Sequence, residues 1–283
     1  MKLYKIETGN FMCDGGALFG VIPKKMWENQ YPVNEDNYCN MSLRCLLIDT
    51  GDRRILIDTG IGTNQSDKFL SRYFLNGDDN LRDSLKKVGY SFDDITDVLL
   101  THLHFDHCGG CTHFDKNGEV QLSFPNADYW VEKKQWENYL NPNMREGAVY
   151  FPENMMPVFE SGKLRLIDKE GEWLPNIDIR IFDGHTVGNM VPIINTPHGK
   201  IAFVGDHIPI AACIQLLWIP AYDTNPIISI EDKVRFLNEA IEDDITLFFE
   251  HDMHIECCNL EQNMKGIKLK DSFTLESWKN TNT

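Results

Sequence analysis

The sequence predicts a layered α/β domain with sheets inside and helices outside. Three observations predict it. Apolar runs of strand length alternate with segments of helical period. Two pairs of runs meet at tight turns as hairpins. Several runs end directly in a histidine or an aspartate.

The first hairpin is LRCLLIDTGDRRILIDTG (43–60), two apolar runs about Gly51-Asp52. In DDNLRDSLKKVGY, Leu81, Leu85 and Val88 recur at a helical period and Gly89 stops the helix. DITDVLLTH is a buried strand that leads straight into THLHFDHCGG (101–110), and DYWVEKKQWENYL reads as a helix stopped near Asn141-Pro142. KLRLID and IDIRIFDGH read as strands, the second ending in His185. MVPIINTPHGKIAFVGDH is a second hairpin and ends in Asp206. SIEDKVRFLNEAIED is a helix with Ser229 as N-cap and Asp232 at N3, and ITLFFEHD is a last strand ending in His251. No repeat, low-complexity tract or linker interrupts the order, so residues 1–283 are expected to form one domain, with an N-terminal extension of about 9–40.

Composition bounds the function. The 283 residues are 42% hydrophobic and 25% charged, which permits a packed core and argues against disorder. Acidic residues outnumber basic ones 43 to 27, a formal charge of −16 that repels phosphate backbones. No basic run compensates, so a nucleic-acid partner is disfavoured. No window is apolar for long enough to span a bilayer, and the N-terminus lacks the apolar core of a signal peptide. Eight cysteines without such a signal suggest reduced thiols in a cytoplasm.

The stretch 101–110 holds His102, His104, Asp106 and His107 within six residues and ends in Gly109-Gly110. Imidazole nitrogens and carboxylate oxygens suit zinc. Side chains at i and i+2 of an extended segment point the same way, so His102 and His104 can grip one ion. Asp106 and His107 follow, where the glycines permit a tight turn into a helix, and can face a second ion. Two ions need more than four ligands, and the strand ends offer His185, Asp206 and His251. Left without metal, a buried cluster of this kind would cost several kcal/mol through crowding and desolvation. His113, His198, His207 and His254 read instead as capping or surface residues. The C-x-x-C pair Cys108 and Cys111 is a weak redox or zinc signal and is not needed for the set.

These motifs together resemble the metallo-β-lactamase superfamily. THLHFDH resembles its H-x-H-x-D-H signature, ILIDTGIG its early Asp-Thr-Gly strand, DGHTVGN its Gly-His-Thr element, FVGDH its Gly-Asp element and FFEHD its C-terminal histidine strand, all in the family order. The resemblance implies an αββα sandwich of two mixed sheets flanked by helices. It implies that His102, His104 and His185 hold a first metal, that Asp106, His107 and His251 hold a second, and that Asp206 bridges both. Asp58 would lie behind the ligands and orient one of the histidines. Dizinc β-lactamases carry a cysteine where this chain has Asp206, so antibiotic hydrolysis is not expected.

The segment DGGALFGVIPKKMWENQYP before the first hairpin resembles the quorum-quenching lactonase and methyl-parathion-hydrolase-like branch. Lactonases of that branch carry a tyrosine a few residues after the bridging aspartate, which assists the substrate carbonyl. Here the stretch reads GDHIPIAACIQ, and the first later tyrosine is Tyr222. Another donor replaces it, or the substrate differs.

The expected cofactors are two divalent ions, zinc first, with manganese, iron or cobalt as substitutes. A hydroxide held between them would attack a carbonyl carbon or a phosphorus, and Asp106 would also accept or pass the proton to the leaving group. Lactone or carboxylic ester hydrolysis leads, N-acyl-homoserine lactone included, and phosphotriesterase or thioesterase activity follows. A metal-bound redox or interaction scaffold is the alternative outside catalysis. Phe19, Met155, Trp218 and Tyr222 would line an apolar substrate pocket, or else fill the core or a subunit interface. Residues around 16 to 32 carry Leu18, Phe19, Val21, Ile22, Met26 and Trp27 without regular alternation, and the lactonase resemblance makes them part of a homodimer interface.

Overall fold

A computed structural model describes residues 1–264 and 266–281. The chain forms two compact units, neither of them contiguous in sequence. Met1–Asn10 joins Leu43–Lys169 in one, and Phe11–Ser42 joins Glu170–Thr283 in the other.

The strands of the first unit belong to a six-stranded mixed sheet. Its order is Lys2–Asp14, Tyr38–Asp49, Arg54–Ile57, Asp97–Leu99, Asp128–Glu132, Leu164–Ile167. The expected first hairpin forms, with Leu46 opposite Ile57 and Asp49 opposite Arg54. The next three strands pair in parallel. Parallel strands are covered on both faces, which is why DVL and its neighbours read as unbroken apolar runs. Val98, Leu100, Leu56, Leu47 and Tyr129 lie in one fully buried cluster with Cys108, Cys111 and Met155. The helix expected over DYWVEKKQWENYL is half strand. Asp128–Glu132 pairs on both sides, and the helix begins only at Lys133, where Glu132 caps Gln135. The consecutive Tyr129, Trp130 and Val131, two aromatic residues and one β-branched, favour the sheet, and two neighbouring strands supply the hydrogen bonds.

The second unit carries a seven-stranded mixed sheet ordered Gly266–Phe273, Cys257–Asn263, Thr246–Phe248, Gly199–Phe203, Asn189–Thr196, Ile177–Phe182, Gly171–Leu174. The expected second hairpin forms, with Ile194 opposite Ile201. Gly199–Phe203 and Thr246–Phe248 run parallel. The long helix is Pro226–Glu242, with Asn225 at its N-cap and proline at its start. The N-cap expected at Ser229 is therefore corrected by one turn. Proline's fixed φ begins the helix earlier, and Ser229 instead donates to Asp223 at 2.6 Å. Asp232 likewise turns outward from the helix start and accepts the amides of Asp183 and Gly184, both at 3.0 Å. Gly184 sits so close to this helix that a Cβ there would lie 2.4 Å from the Ser229 Cα. That contact brings the end of Ile177–Phe182 against the helix and fixes where His185 begins.

Residues 11–42 belong to this second unit. They form two short helices, Gly15–Phe19 and Lys24–Trp27, the first capped by Asp14. Phe19 stacks on Trp27 at 4.5 Å and meets Trp218 edge-on at 5.7 Å. No helix among the described residues is long and apolar enough to cross a membrane. None of the eight cysteines, all of them among the described residues, is in a disulfide.

Candidate metal centre

In the first unit the strand Asp97–Leu99 delivers the chain to Thr101 and the three histidines. The strand Arg54–Ile57 ends beside it at Asp58, whose φ of 57° is left-handed. The buried Asp58 carboxylate accepts the Thr101 amide at 2.8 Å and the Thr101 hydroxyl at 2.7 Å, and lies 3.0 Å from His107 Nδ1. A carboxylate only accepts, so Nδ1 carries the proton and His107 Nε2 is left with a lone pair. The Thr101 hydroxyl spends its one hydrogen on Asp58, so its oxygen accepts from His102 Nδ1 at 3.1 Å. His102 Nε2 is thereby turned towards His104 Nδ1, 2.9 Å away. Asp106 follows on the short helix Phe105–Cys108, its Oδ1 3.8 Å from His107 Nε2.

Gly109 and Gly110 serve a different purpose from the one expected. Gly109 has an ordinary right-handed φ of −61°, so the turn does not require glycine. Both glycines instead let this loop touch the backbone of residues 59–62, where a Cβ on Gly109 would sit 2.0 Å from the Ile61 carbonyl oxygen.

In the second unit Asp206 stands in a 3-10 turn after Gly199–Phe203, buried with His185 and His251. Its Oδ2 is 3.2 Å from His185 Nε2 and its Oδ1 is 2.9 Å from His251 Nε2. Each imidazole is anchored on its other nitrogen. His185 Nδ1 lies 3.0 Å from Asp223, which Ser229 holds, and His251 Nδ1 lies 2.9 Å from the Ser42 carbonyl. Both anchors are acceptors, so each Nδ1 carries a proton, and in the neutral ring each Nε2 presents its lone pair to a carboxylate.

Lone pairs set against lone pairs at such distances repel unless positive charge lies among them. A divalent cation supplies that charge, and a nitrogen and oxygen donor set suits it. In the first unit His102, His104, Asp106 and His107 form one cluster of ligand-capable side chains, and in the second His185, Asp206 and His251 form another. The first cluster holds four of the seven sequence-predicted ligands and the second the other three. Cys108 and Cys111 are in neither. They are fully buried in the core of the first unit, and burial pushes both thiols up. His207 stacks on Phe182 at 4.0 Å, and burial lowers its pKa well below the ordinary value.

Sequence reasoning missed Asp223, Thr101 and Ser42. Asp223 was unmarked because its pairing with His185 depends on where a loop folds back, which no local spacing records.

Of the expected pocket residues, Met155 is fully buried in the core of the first unit, and Phe19 and Trp218 are buried in the aromatic stack with Trp27. Tyr222 meets His185 edge-on at 5.8 Å. Burial first, and then the Asp206 charge, pushes its phenol well above the ordinary range, so it stays a proton donor. A cavity of about 1190 Å³ in the second unit is lined by Tyr31, Ala211, Ile214, Asp252, Ile255 and Leu269 among others, and by none of these four.

The model of the Metallo-beta-lactamase superfamily matches residues 44–243. The N-acyl homoserine lactonase of Bacillus thuringiensis is 27% identical over 206 residues, covering 69% of this chain and 70% of that protein. A probable metal-dependent hydrolase from Staphylococcus aureus shares the fold at a TM-score of 0.85 and 31% identity, over 96% of this chain and 98% of that one. AidC, a dizinc quorum-quenching lactonase solved with a product, shares it at 0.78, with 22% identity over 96% and 95% of the two chains, a likeness of fold alone. A family match over more than half of the sequence, and a relative that shares the fold nearly end to end, lead to one conclusion: the chain belongs to the metallo-beta-lactamase superfamily, as a metal-dependent hydrolase of its lactonase-like branch.

Proposed function

We propose that this protein hydrolyses a lactone or carboxylic ester, in the manner of the N-acyl homoserine lactonases it resembles, with two divalent cations, zinc first. His102, His104 and His185 would hold one cation, Asp106, His107 and His251 the other, and Asp206 both. The observation that carries the reading is the Asp206 carboxylate, whose two oxygens face the Nε2 atoms of two separately anchored histidines. When bound, the pair of cations supplies Lewis-acid activation of water and of the substrate carbonyl at neutral pH.

The chain's own residues do the rest. Asp58, Asp223, Thr101 and the Ser42 carbonyl fix imidazole tautomers before any ligand arrives. Asp106 is partly exposed, with a side chain 14% accessible, and so can pass a proton to the departing alkoxide as well as bind. Tyr222, kept protonated beside His185, donates to the substrate. No thiol serves as nucleophile, since burial disfavours thiolate at Cys108, Cys111 and Cys213.

Two measurements test this. Protein purified without chelator is expected to carry about two transition-metal ions per chain, and elemental analysis showing one or none would sink the dinuclear reading. A panel of lactones, p-nitrophenyl esters, thioesters and paraoxon-type triesters is expected to give its highest kcat/KM with a lactone or ester. Preference for the triester or thioester moves the substrate class, and no hydrolysis by the loaded protein favours a binding scaffold.

The same resemblance extends to assembly, and we infer a homodimer through residues around 16 to 32. Leu18, Phe19 and Trp27 are buried within the second unit, while Val21 and Met26 are 93% and 57% exposed and are left for a partner surface. Light scattering after gel filtration is expected to give twice the chain mass of 32.6 kDa, and a mass near 32.6 kDa at micromolar concentration rejects the dimer.

A further inference from the structure

We propose that Glu146 is the positioning residue of His104, holding its imidazole with Nε2 protonated so that Nδ1 is the atom offered to a cation. The inference rests on the dinuclear site proposed above and extends it to a residue outside every motif. Five imidazoles belong to that site. Four of them have an oxygen on the nitrogen that faces away: Thr101 at 3.1 Å, Asp58 at 3.0 Å, Asp223 at 3.0 Å and the Ser42 carbonyl at 2.9 Å. His104 is the fifth. Its Nδ1 faces His102, and its Nε2 lies 3.6 Å from Glu146 Oε1. That is longer than a hydrogen bond but close enough for a buried carboxylate's charge to select the tautomer.

The carboxylate is built in, not incidental. Glu146 is 2% exposed. Burying such a charge costs several kcal/mol unless it is held on all sides. Asn138 donates to Oε2 at 3.1 Å, Asn143 also donates there, and the Tyr150 hydroxyl lies 2.9 Å from Oε1. Asn138 is on the helix Lys133–Leu140, one turn after Gln135. Gln135 Oε1 accepts the amide of Leu103, the residue between the two histidines, at 3.2 Å, and lies 3.0 Å from the Tyr150 hydroxyl. One helix face therefore fixes both the backbone that carries His104 and the carboxylate behind its ring. The ring of Tyr150 lies 5.4 Å from that of His104 and closes the side of the nest.

Glu146→Gln tests the role without changing shape. The amide can turn its NH₂ to the Oε1 position, where it meets the His104 and Tyr150 donors, or to the Oε2 position, where it meets the two asparagine amides. Either way the negative charge is gone. The expected result is a fall of about 10- to 100-fold in the affinity of one of the two cations, read by chelator competition, with the other unchanged. In metal-free protein, imidazole ¹H–¹⁵N correlations should show His104 as the Nε2–H tautomer in the wild type and as a mixture in the variant. Glu146→Asp, which keeps the charge, should recover part of the loss. Tyr150→Phe removes a hydrogen bond to the same oxygen but leaves the charge, and should keep both affinities. Equal loss in Tyr150→Phe and Glu146→Gln, or unchanged affinities and tautomer in Glu146→Gln, overturns the proposal alone. A wild-type protein that takes up no cation overturns it together with the proposed function.

Discussion

Asp206→Asn is expected to lower kcat/KM by about a thousandfold or more while the protein keeps its fold and melting temperature. Lewis-acid stabilisation is worth several kcal/mol, and each 1.36 kcal/mol is a factor of ten. Both oxygens of Asp206 face imidazole lone pairs, at 3.2 Å from His185 and 2.9 Å from His251. An asparagine amide would donate to one of those nitrogens and occupy the place that a shared cation requires. The substitution therefore relieves electrostatic tension in the metal-free protein as it removes the proposed function, so loss of activity should come without loss of stability. Kinetics on the best substrate of the panel, elemental analysis and a thermal melt give the three readouts. Turnover within about tenfold of the wild type, at full metal loading, removes Asp206 from the site.

Much of this was legible in the sequence, for a definite reason. The candidate ligands sit where strands end, so local patterns carry both the strand and the residue that terminates it. IDIRIFDGH, FVGDH and FFEHD each name a candidate ligand, and THLHFDH names four, while the hairpins at Gly51-Asp52 and Pro197-His198 follow from alternation and turn residues. What was not legible depends on long-range folding. Asp223 reaches back 38 residues to His185, and Ser42 lies 209 residues from His251. Neither residue type is marked locally. DYWVE was misread because a strand running without a break into a helix leaves no punctuation between Glu132 and Lys133. Phe19, Met155 and Trp218 looked like pocket residues because sequence hydrophobicity does not separate a wall from a core, and all three are buried. The two glycines after the motif were visible, but their reason was not, since a close approach of two loops leaves no mark on either one.

That reason yields the largest expected effect on stability. Gly109→Ala should destabilise the protein by about 3 kcal/mol or more, among the larger values for a single substitution. The added methyl would sit 2.0 Å from the Ile61 carbonyl oxygen and 2.4 Å from its carbon, and neither atom belongs to a side chain that can swing away. The facing residue is equally constrained, since a Cβ on Gly62 would lie 2.1 Å from the Gly109 carbonyl oxygen. Backbone φ is not the issue at Gly109, where −61° suits any residue. To admit the methyl, the two loops must separate, and the bonds that join them would stretch: Thr59 amide and hydroxyl to the His107 carbonyl at 2.8 and 2.9 Å, and Gly110 amide to the Gly60 carbonyl at 3.2 Å. The same separation would draw Asp58 off His107, now 3.0 Å away. Weaker cation binding should therefore accompany the lower melting temperature, which should drop by roughly 10 °C at about 2–4 °C per kcal/mol. Gly147→Ala is the control, because it is exposed and its Cβ would meet nothing nearer than the Pro142 ring at 3.6 Å. If the two variants melt together, the loops yield more readily than their packing indicates, and the close approach is not what makes Gly109 necessary.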